Sequence, residues 1–364
     1  MYARSTGRLA ALGLTLAILL SKADVATALR RARRFAQGVV EGIAAGMVIR
    51  TQRRQRSEEL LPASEMANNY NNCALLMTAD ELYTRLEREQ CDDLVVIEVV
   101  PPSHPRAIPP IPGAESVWRP EYQLPVNGAA QPLDGLVPTA EAFGLLAQRL
   151  GVHEATQIVL ITSTSTRGDD TRLWWLFTAF GKRSVFVLDG GFDAWRRCAE
   201  ARGPLAPNPR GRLRGAWCAR ALDPALLASR QAVAEQRVRL WDVRAPEEYD
   251  GRVTMPGAAR PGRIPWATRR VEHGMFKSPT DGTWLPPEGI REVARRELDA
   301  TPTDGGGAHV FYCQSAVRTT QLIFGMCRAG WPLERLKNYD GSWVEWSHLA
   351  SDDEVHVADA ENAS

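Results

Sequence analysis

The residues best suited to chemistry lie in the run His309–Met326, HVFYCQSAVRTTQLIFGM. Four residues of strand character end at Cys313, and a helical pattern begins beside Arg318, so a C-x4-R loop joins strand to helix. A loop in that place collects backbone N–H groups at a helix N-terminus, where they and the helix dipole favour an anion. A thiol on its lip has its thiolate stabilised. Arg318 adds a permanent cation, Ser315 a hydroxyl and Gln314 an amide, while Ala316 and Val317 complete the turn. Together they form a shallow cup for an anionic sulfur species with a nucleophile on its rim. The bland reading of Cys313 is a small buried hydrophobe.

Loop length separates chemistries. Cysteine phosphatases use C-x5-R, a ring wide enough for phosphate. One residue less suits a cysteine persulfide, which makes phosphoryl transfer the least favoured option.

The rest of the chain bounds the alternatives. It has 364 residues, 44% hydrophobic and 24% charged, which suggests two domains of common size. Residues 1–56 hold eleven Lys or Arg against Asp24 and Glu41, a net of +9 that leaves −8 on the remainder of a chain whose total is +1. An acidic body does not fit a nucleic-acid binder. The six cysteines, at 73, 91, 198, 218, 313 and 327, include no C-x-x-C, and no H-E-x-x-H occurs. No disulfide framework and no structural or catalytic zinc is expected.

The N-terminus reads as a targeting segment, 1–72. Arg4 and Arg8 precede an apolar run, Leu9–Leu20, too short to span a bilayer, and ATA at 26–28 is a candidate cleavage site. The Arg-rich stretch after it has the composition of an organelle transit peptide. Import into a plastid or mitochondrion is expected, with a secreted or periplasmic protein as the alternative and no stable membrane insertion of the mature body.

The elements that must position Cys313 occur twice. VLDGGFDAW (187–195) matches NYDGSWVEW (338–346), IPGA (111–114) matches MPGA (255–258), LVVIEVV (94–100) matches VRLWDVR (238–244), and QIVLIT (157–162) matches AHVFYC (308–313). Similar elements in the same order predict two homologous domains, 73–200 and 219–350, with a Pro-, Gly- and Arg-rich surface linker at 201–218 and an acidic, disordered tail at 351–364. Thr78 and Glu81 predict a capping box opening a helix, and Gly151 a C-cap. RLWWLFTAFG and RTTQLIFGMCRAGW read as amphipathic helices. Strands alternating with helices imply an α/β fold whose parallel sheets place chemistry beyond their carboxyl ends, where Cys313 falls.

The C-x-x-A-x-R after a strand, LDGGFDAW, YDGSWVEW and DVRAPEEY together resemble the tandem rhodanese-domain sulfurtransferases, over nearly all of 75–350. These comprise the thiosulfate:cyanide and 3-mercaptopyruvate sulfurtransferases. The resemblance implies two homologous rhodanese-like domains, each a mostly parallel sheet flanked by helices. It implies that only the C-terminal domain carries the persulfide cysteine, Cys313, with Thr162 or Thr164 standing where a cysteine would be in the N-terminal domain. It also implies that Arg172, just before the WW helix, reaches into the interdomain site. There Arg172 and Arg318 would neutralise the donor, and the amides of 314–318 would cradle the persulfide. The implied acceptors are cyanide, a thiol or a thiol-bearing redox protein, and the implied exchange needs no metal or organic cofactor. The cationic Arg318 points to a sulfonate and so to thiosulfate as donor, because mercaptopyruvate enzymes resemble a neutral C-G-S-G-V-T loop. The mercaptopyruvate enzyme is the alternative, and a non-catalytic binding or redox-sensing module is the reading from a different class.

Three departures stand out. Ala316 occupies a position where the family usually has glycine. The family's GHIPGA lacks its histidine, so either MPGA or GRIP is the equivalent turn in MPGAARPGRIPWATRR. Glu98 stands where Asp242 stands in the other half, and Asp242 and Arg244 read as a local scaffold pair. Trp174, Trp175, Trp195 and Trp346 read as core.

Overall fold

The short apolar runs become two parallel sheets. This computed structural model describes residues 75–357 apart from 89–92, 104–106, 127–132, 164–167, 207–213, 237 and 304–306, all within a compact unit spanning Pro62–Ser364. The expected targeting segment and Thr164 lie outside the described residues.

The strands are β1 (Leu75–Met77), β2 (Leu94–Val99), β3 (Glu115–Val117), β4 (Leu124–Val126), β5 (Leu133–Leu136), β6 (Gln157–Ile161), β7 (Val185–Leu188), β8 (Arg239–Asp242), β9 (Arg269–Arg270), β10 (His309–Tyr312) and β11 (Leu336–Asn338). The helices are α1 (Ala79–Glu87), α2 (Arg119–Tyr122), α3 (Ala140–Arg149), α4 (Asp169–Ala179), α5 (Gly191–Arg202), α6 (Arg230–Ala234), α7 (Pro246–Tyr249), α8 (Pro287–Leu298), α9 (Thr319–Arg328) and α10 (Ser342–Leu349).

The first sheet runs β1-β7-β6-β2-β3 and the second β11-β10-β8-β9, with every pairing parallel. Central strands β2 and β10 are buried at every position, as a sheet covered on both faces requires. β4 and β5 form a separate antiparallel hairpin.

The repeat read from the sequence is a repeat of architecture. The order β7-β6-β2-β3 matches β11-β10-β8-β9 strand for strand. The counterpart of β1 in the second half has shrunk to one parallel bridge, Leu227 to Asn338. The turn ambiguity also resolves. The Ala114 N–H donates to the Ile111 carbonyl just before β3, and the Ala267 N–H donates to Ile264 just before β9. IPGA therefore corresponds to IPWA (264–267), which places GRIP, and not MPGA, at the equivalent turn. Ile111 and Ile264 are both buried.

The two halves meet along α4 and α9. The Thr171 and Thr320 hydroxyls, equivalent in the two helices, lie 2.9 Å apart. On either side the same contact is made in both directions. Asp340 accepts the Val137 N–H at 2.6 Å, and its counterpart Asp189 accepts the Trp284 N–H at 2.8 Å. These pairings describe a pseudo-two-fold relation between the halves. They also explain why α4 is buried at all eleven positions and not amphipathic: one side covers its own sheet and the other meets α9.

Smaller expectations change for local reasons. Thr78 caps α1 through the Glu81 N–H, but the Glu81 carboxylate turns to Arg85 and leaves the capping box half made. The second half of the predicted surface linker is laid against the first domain. Trp217 is buried, and Gly215 approaches Val152 so closely that a Cβ would lie 2.1 Å from its carbonyl oxygen. The first part of the acidic tail is ordered, since Trp346 donates to the Glu354 carbonyl and His356 bridges to Arg263. Trp174, Trp175, Trp195 and Trp346 are core, as their pattern predicts. Asp242 and Arg244 form a buried fork at 2.7 Å, closed by the Gly262 carbonyl.

Candidate active site

Cys313 is the first residue after β10, and α9 begins at Thr319, so residues 313–318 form the predicted strand-to-helix loop. Its counterpart after β6 is Thr162, since the Phe192 N–H donates to the Thr162 carbonyl just as the Trp343 N–H donates to the Cys313 carbonyl. The Thr162 hydroxyl donates to the Val99 carbonyl at 2.8 Å and is committed to the scaffold.

The loop is held from behind by its carbonyls. That of Cys313 accepts from Trp343 N and that of Gln314 from Val344 N, in the first turn of α10. The Ala316 carbonyl accepts from Asn338 Nδ2 at 3.3 Å and from Arg172 Nη1 at 3.4 Å. Ala316 has φ 56°, so the glycine of related loops is replaced by a residue held in the left-handed region at a cost of about 1 kcal/mol.

A hydroxyl that sequence reasoning missed organises the turn. Ser342 Oγ accepts the N–H groups of Cys313 (3.2 Å) and Ala316 (3.1 Å) and donates to the Tyr339 carbonyl (2.8 Å). Ser342 itself has φ 50°, and its counterpart in the first half is Gly191 at φ 55°. Glycine suits that backbone, so the serine is strained in order to place its oxygen under the loop. Comparing DGG with DGS between the repeats was the available signal. Because Ala316 N–H is spent on Ser342, the N–H groups of Gln314, Ser315, Val317 and Arg318 are the loop amides with no acceptor among the described residues.

Arg318 is buried and makes a two-pronged contact with Glu248 of α7, at 2.6 and 2.8 Å. Burial works against its charge, but the Glu248 contact and an interaction with the Cys313 sulfur hold the guanidinium firmly cationic. Glu248 is buried too. The Arg318 fork, the Ala245 N–H and the Arg244 charge outweigh that burial and keep its carboxyl below the usual glutamate range. DVRAPEEY thus supplies a counter-ion for the loop arginine, which its resemblance alone did not disclose.

From the first domain, Arg119 of α2 carries a charge that interacts with the same sulfur. Its Nε and Nη2 engage the fully buried Asp169 at 2.6 and 2.8 Å, and Tyr122 donates its hydroxyl to that carboxylate at 3.1 Å. Burial pushes the Asp169 carboxyl up, and these donors pull against it. Cys313 is 1% exposed, and its sulfur interacts with charges contributed by both halves, Arg119 and Arg318.

The structure places the remaining predicted residues as follows. Arg172 does cross from the first domain to the loop, fully buried, and meets it on the carbonyl side, paired with Asp340 at 2.7 Å. Gln314 donates to the Pro256 carbonyl at 3.1 Å. Ser315 is half-buried on the loop, and Val317 is buried.

The profile described as Rhodanese-like domain matches residues 78–198 and 225–349. The chain belongs to the rhodanese family. The human 3-mercaptopyruvate sulfurtransferase is 33% identical over 233 residues, covering 62% of this chain and 73% of that one. A Pseudomonas aeruginosa relative whose name carries the same activity is 32% identical over 286 residues, covering 75% and 95%. The rhodanese fold of the Escherichia coli 3-mercaptopyruvate enzyme superposes with a TM-score of 0.57 at 18% identity, covering 74% of this chain and 98% of that one.

Two outcomes follow from this geometry. Ser342→Ala keeps the strained backbone but strands two buried N–H groups, so it should lower unfolding free energy by about 1–3 kcal/mol. Ser342→Gly relieves the strain and should be the less destabilised of the two in urea unfolding. The opposite order would contradict the left-handed constraint. Glu248, held below its ordinary value of about 4.3, stabilises the fold fully above that pH and loses its contribution as pH falls through the lowered folded value. In acid unfolding profiles, Glu248→Gln should remove that part of the slope. An unchanged slope would contradict it.

Proposed function

We propose that the chain is a sulfurtransferase that moves a sulfane sulfur from thiosulfate to cyanide or a thiol through a persulfide on Cys313. The single observation that carries this reading is the loop itself: a thiol beside a cationic Arg318, with four N–H groups in the turn that have no acceptor among the described residues. Family membership supports sulfur transfer as the class of reaction. A relative from Mycobacterium bovis, 28% identical over 246 residues, has a name that carries thiosulfate sulfurtransferase.

The chemistry balances with no added redox partner. The Cys313 thiolate attacks the outer sulfur of thiosulfate, forming one S–S bond. The bond from that sulfur to the sulfonate breaks, and sulfite leaves with the electron pair. The persulfide carries the negative charge, which the amides of 314, 315, 317 and 318 and the Arg318 guanidinium are placed to bind. Cyanide or a thiolate then takes the terminal sulfur and returns Cys313 as thiolate. Each hydrogen bond to that charge contributes about 1.5–3 kcal/mol.

A second reading has its own support. Glu248 matches the charge of Arg318, which weakens the case for a sulfonate made from the loop alone, and the human and Pseudomonas relatives are named for 3-mercaptopyruvate. Steady-state rates with both donors and cyanide as acceptor separate the two. The expected result is a higher kcat/KM with thiosulfate, abolished in Cys313→Ser. A strong preference for 3-mercaptopyruvate would move the assignment to that donor. Sulfur transfer surviving in Cys313→Ser would overturn both readings, and a native chain that transfers sulfur from neither donor would favour a binding or redox-sensing module.

A further inference from the structure

The two halves are related by the Thr171–Thr320 contact, and that relation pairs Asp169, the first residue of α4, with Arg318, the residue before α9. Each opens the helix that follows its loop, and each is held by an opposite charge from a short helix of its own half. Arg318 is matched by Glu248 of α7, and Asp169 by Arg119 of α2. The pattern is retained with its charges reversed. The reversal turns a carboxylate of the first domain inward and sets a guanidinium beyond it.

The two arginines differ in what they have left to offer. Arg318 commits both terminal nitrogens to Glu248, and its side chain is 7% exposed. Arg119 commits Nε and one terminal nitrogen to Asp169, and its side chain is 33% exposed. Its Nη1 has no acceptor among the described residues. Asp169 is fully buried and braced by Tyr122, so one edge of the guanidinium is fixed in direction while the other is left uncommitted among the described residues. The Trp118 ring, 4.9 Å from the guanidinium carbon, supports its face. A planar cation with one edge anchored and one edge free is suited to take two oxygens of an oxyanion.

We infer that Arg119 binds the anionic head of the sulfur donor, a sulfonate or carboxylate, and orients its transferable sulfur toward Cys313, while Arg318 serves the cysteine sulfur. This rests on the persulfide reading and deepens it: a group from the non-catalytic domain selects anionic donors. The electrostatic influence of Cys313 on Arg119 is in keeping with that placement. Arg172, which also crosses from the first domain, is spent on Asp340 and the Ala316 carbonyl and acts on the loop's backbone.

The test is a two-substrate kinetic analysis of the full chain and its Arg119→Gln and Arg119→Lys variants, with thiosulfate and 3-mercaptopyruvate as donors and cyanide as acceptor. Loss of one charge-assisted contact should lower kcat/KM for the donor that supports turnover by about 10- to 100-fold in Arg119→Gln. Arg119→Lys should lie between that variant and the native chain. The kcat/KM for cyanide, which reports removal of sulfur from the persulfide, should stay within about threefold. Loss on thiosulfate alone assigns the head as sulfonate, and loss on 3-mercaptopyruvate alone as carboxylate. Should Arg119→Gln unfold because Asp169 is left buried without its partner, Arg119→Gln combined with Asp169→Asn removes both charges and gives the same reading. Donor kcat/KM unchanged in Arg119→Gln, or an equal fall for donor and cyanide, would overturn the inference. A native chain that forms no persulfide from either donor would instead overturn the sulfur-transfer reading on which it rests.

Discussion

The site depends on the polarity of one short turn. Within Cys313–Arg318 the carbonyls of Cys313, Gln314 and Ala316 are bonded behind the turn, and the amides of Gln314, Ser315, Val317 and Arg318 are left with no acceptor among the described residues. The first turn of α10 enforces this by donating to the Cys313 and Gln314 carbonyls, and Ser342 Oγ fixes the spacing by gripping the Cys313 and Ala316 amides. Both residues at this grip, Ala316 and Ser342, carry positive φ. Two strained non-glycine residues in contact are costly, on the order of 1–3 kcal/mol each. They persist because the packing around them leaves the backbone no other course.

The duplication explains how that packing arose and why only one half is equipped. Both halves keep the same strand order, the same helix after the loop and the same aspartate holding an amide of the other half. In the first half the thiol position is Thr162, bonded to its own scaffold, and the gripping position is Gly191, with no oxygen to offer. Its loop is two residues longer before the helix, eight from Thr162 to Asp169 against six from Cys313 to Arg318. What the first half contributes is charge and support. Arg172 steadies the back of the Cys313 turn, and Arg119 adds a positive charge that interacts with its sulfur.

Much of this was legible in the residues. The repeat, the parallel sheets, the position of Cys313 between strand and helix and the core tryptophans all followed from local pattern. The departure at Ala316 was marked by the resemblance, and its φ of 56° shows why glycine suits that position. The parts that escaped are contacts across long stretches of chain. Glu248 and Arg318 are 70 residues apart and Arg119 and Asp169 are 50 apart, and nothing in either sequence neighbourhood marks them as partners. Ser342 was hidden differently: it sits in a DGS turn that reads as structural, and the change from DGG to DGS between the repeats was its one sequence mark, explained by a φ that matches that of Gly191. The correspondence of IPGA with IPWA was obscured because an inserted MPGA imitates it at the expected spacing.

The role of Cys313 turns on where sulfur goes. Intact mass of the full chain after brief incubation with thiosulfate, followed by peptide mapping under non-reducing conditions, answers this most directly. The expected result is a gain of one sulfur atom on the peptide bearing Cys313, lost on adding cyanide with release of thiocyanate. An unmodified Cys313, or a sulfur found on Cys198, Cys218 or Cys327 instead, would contradict it.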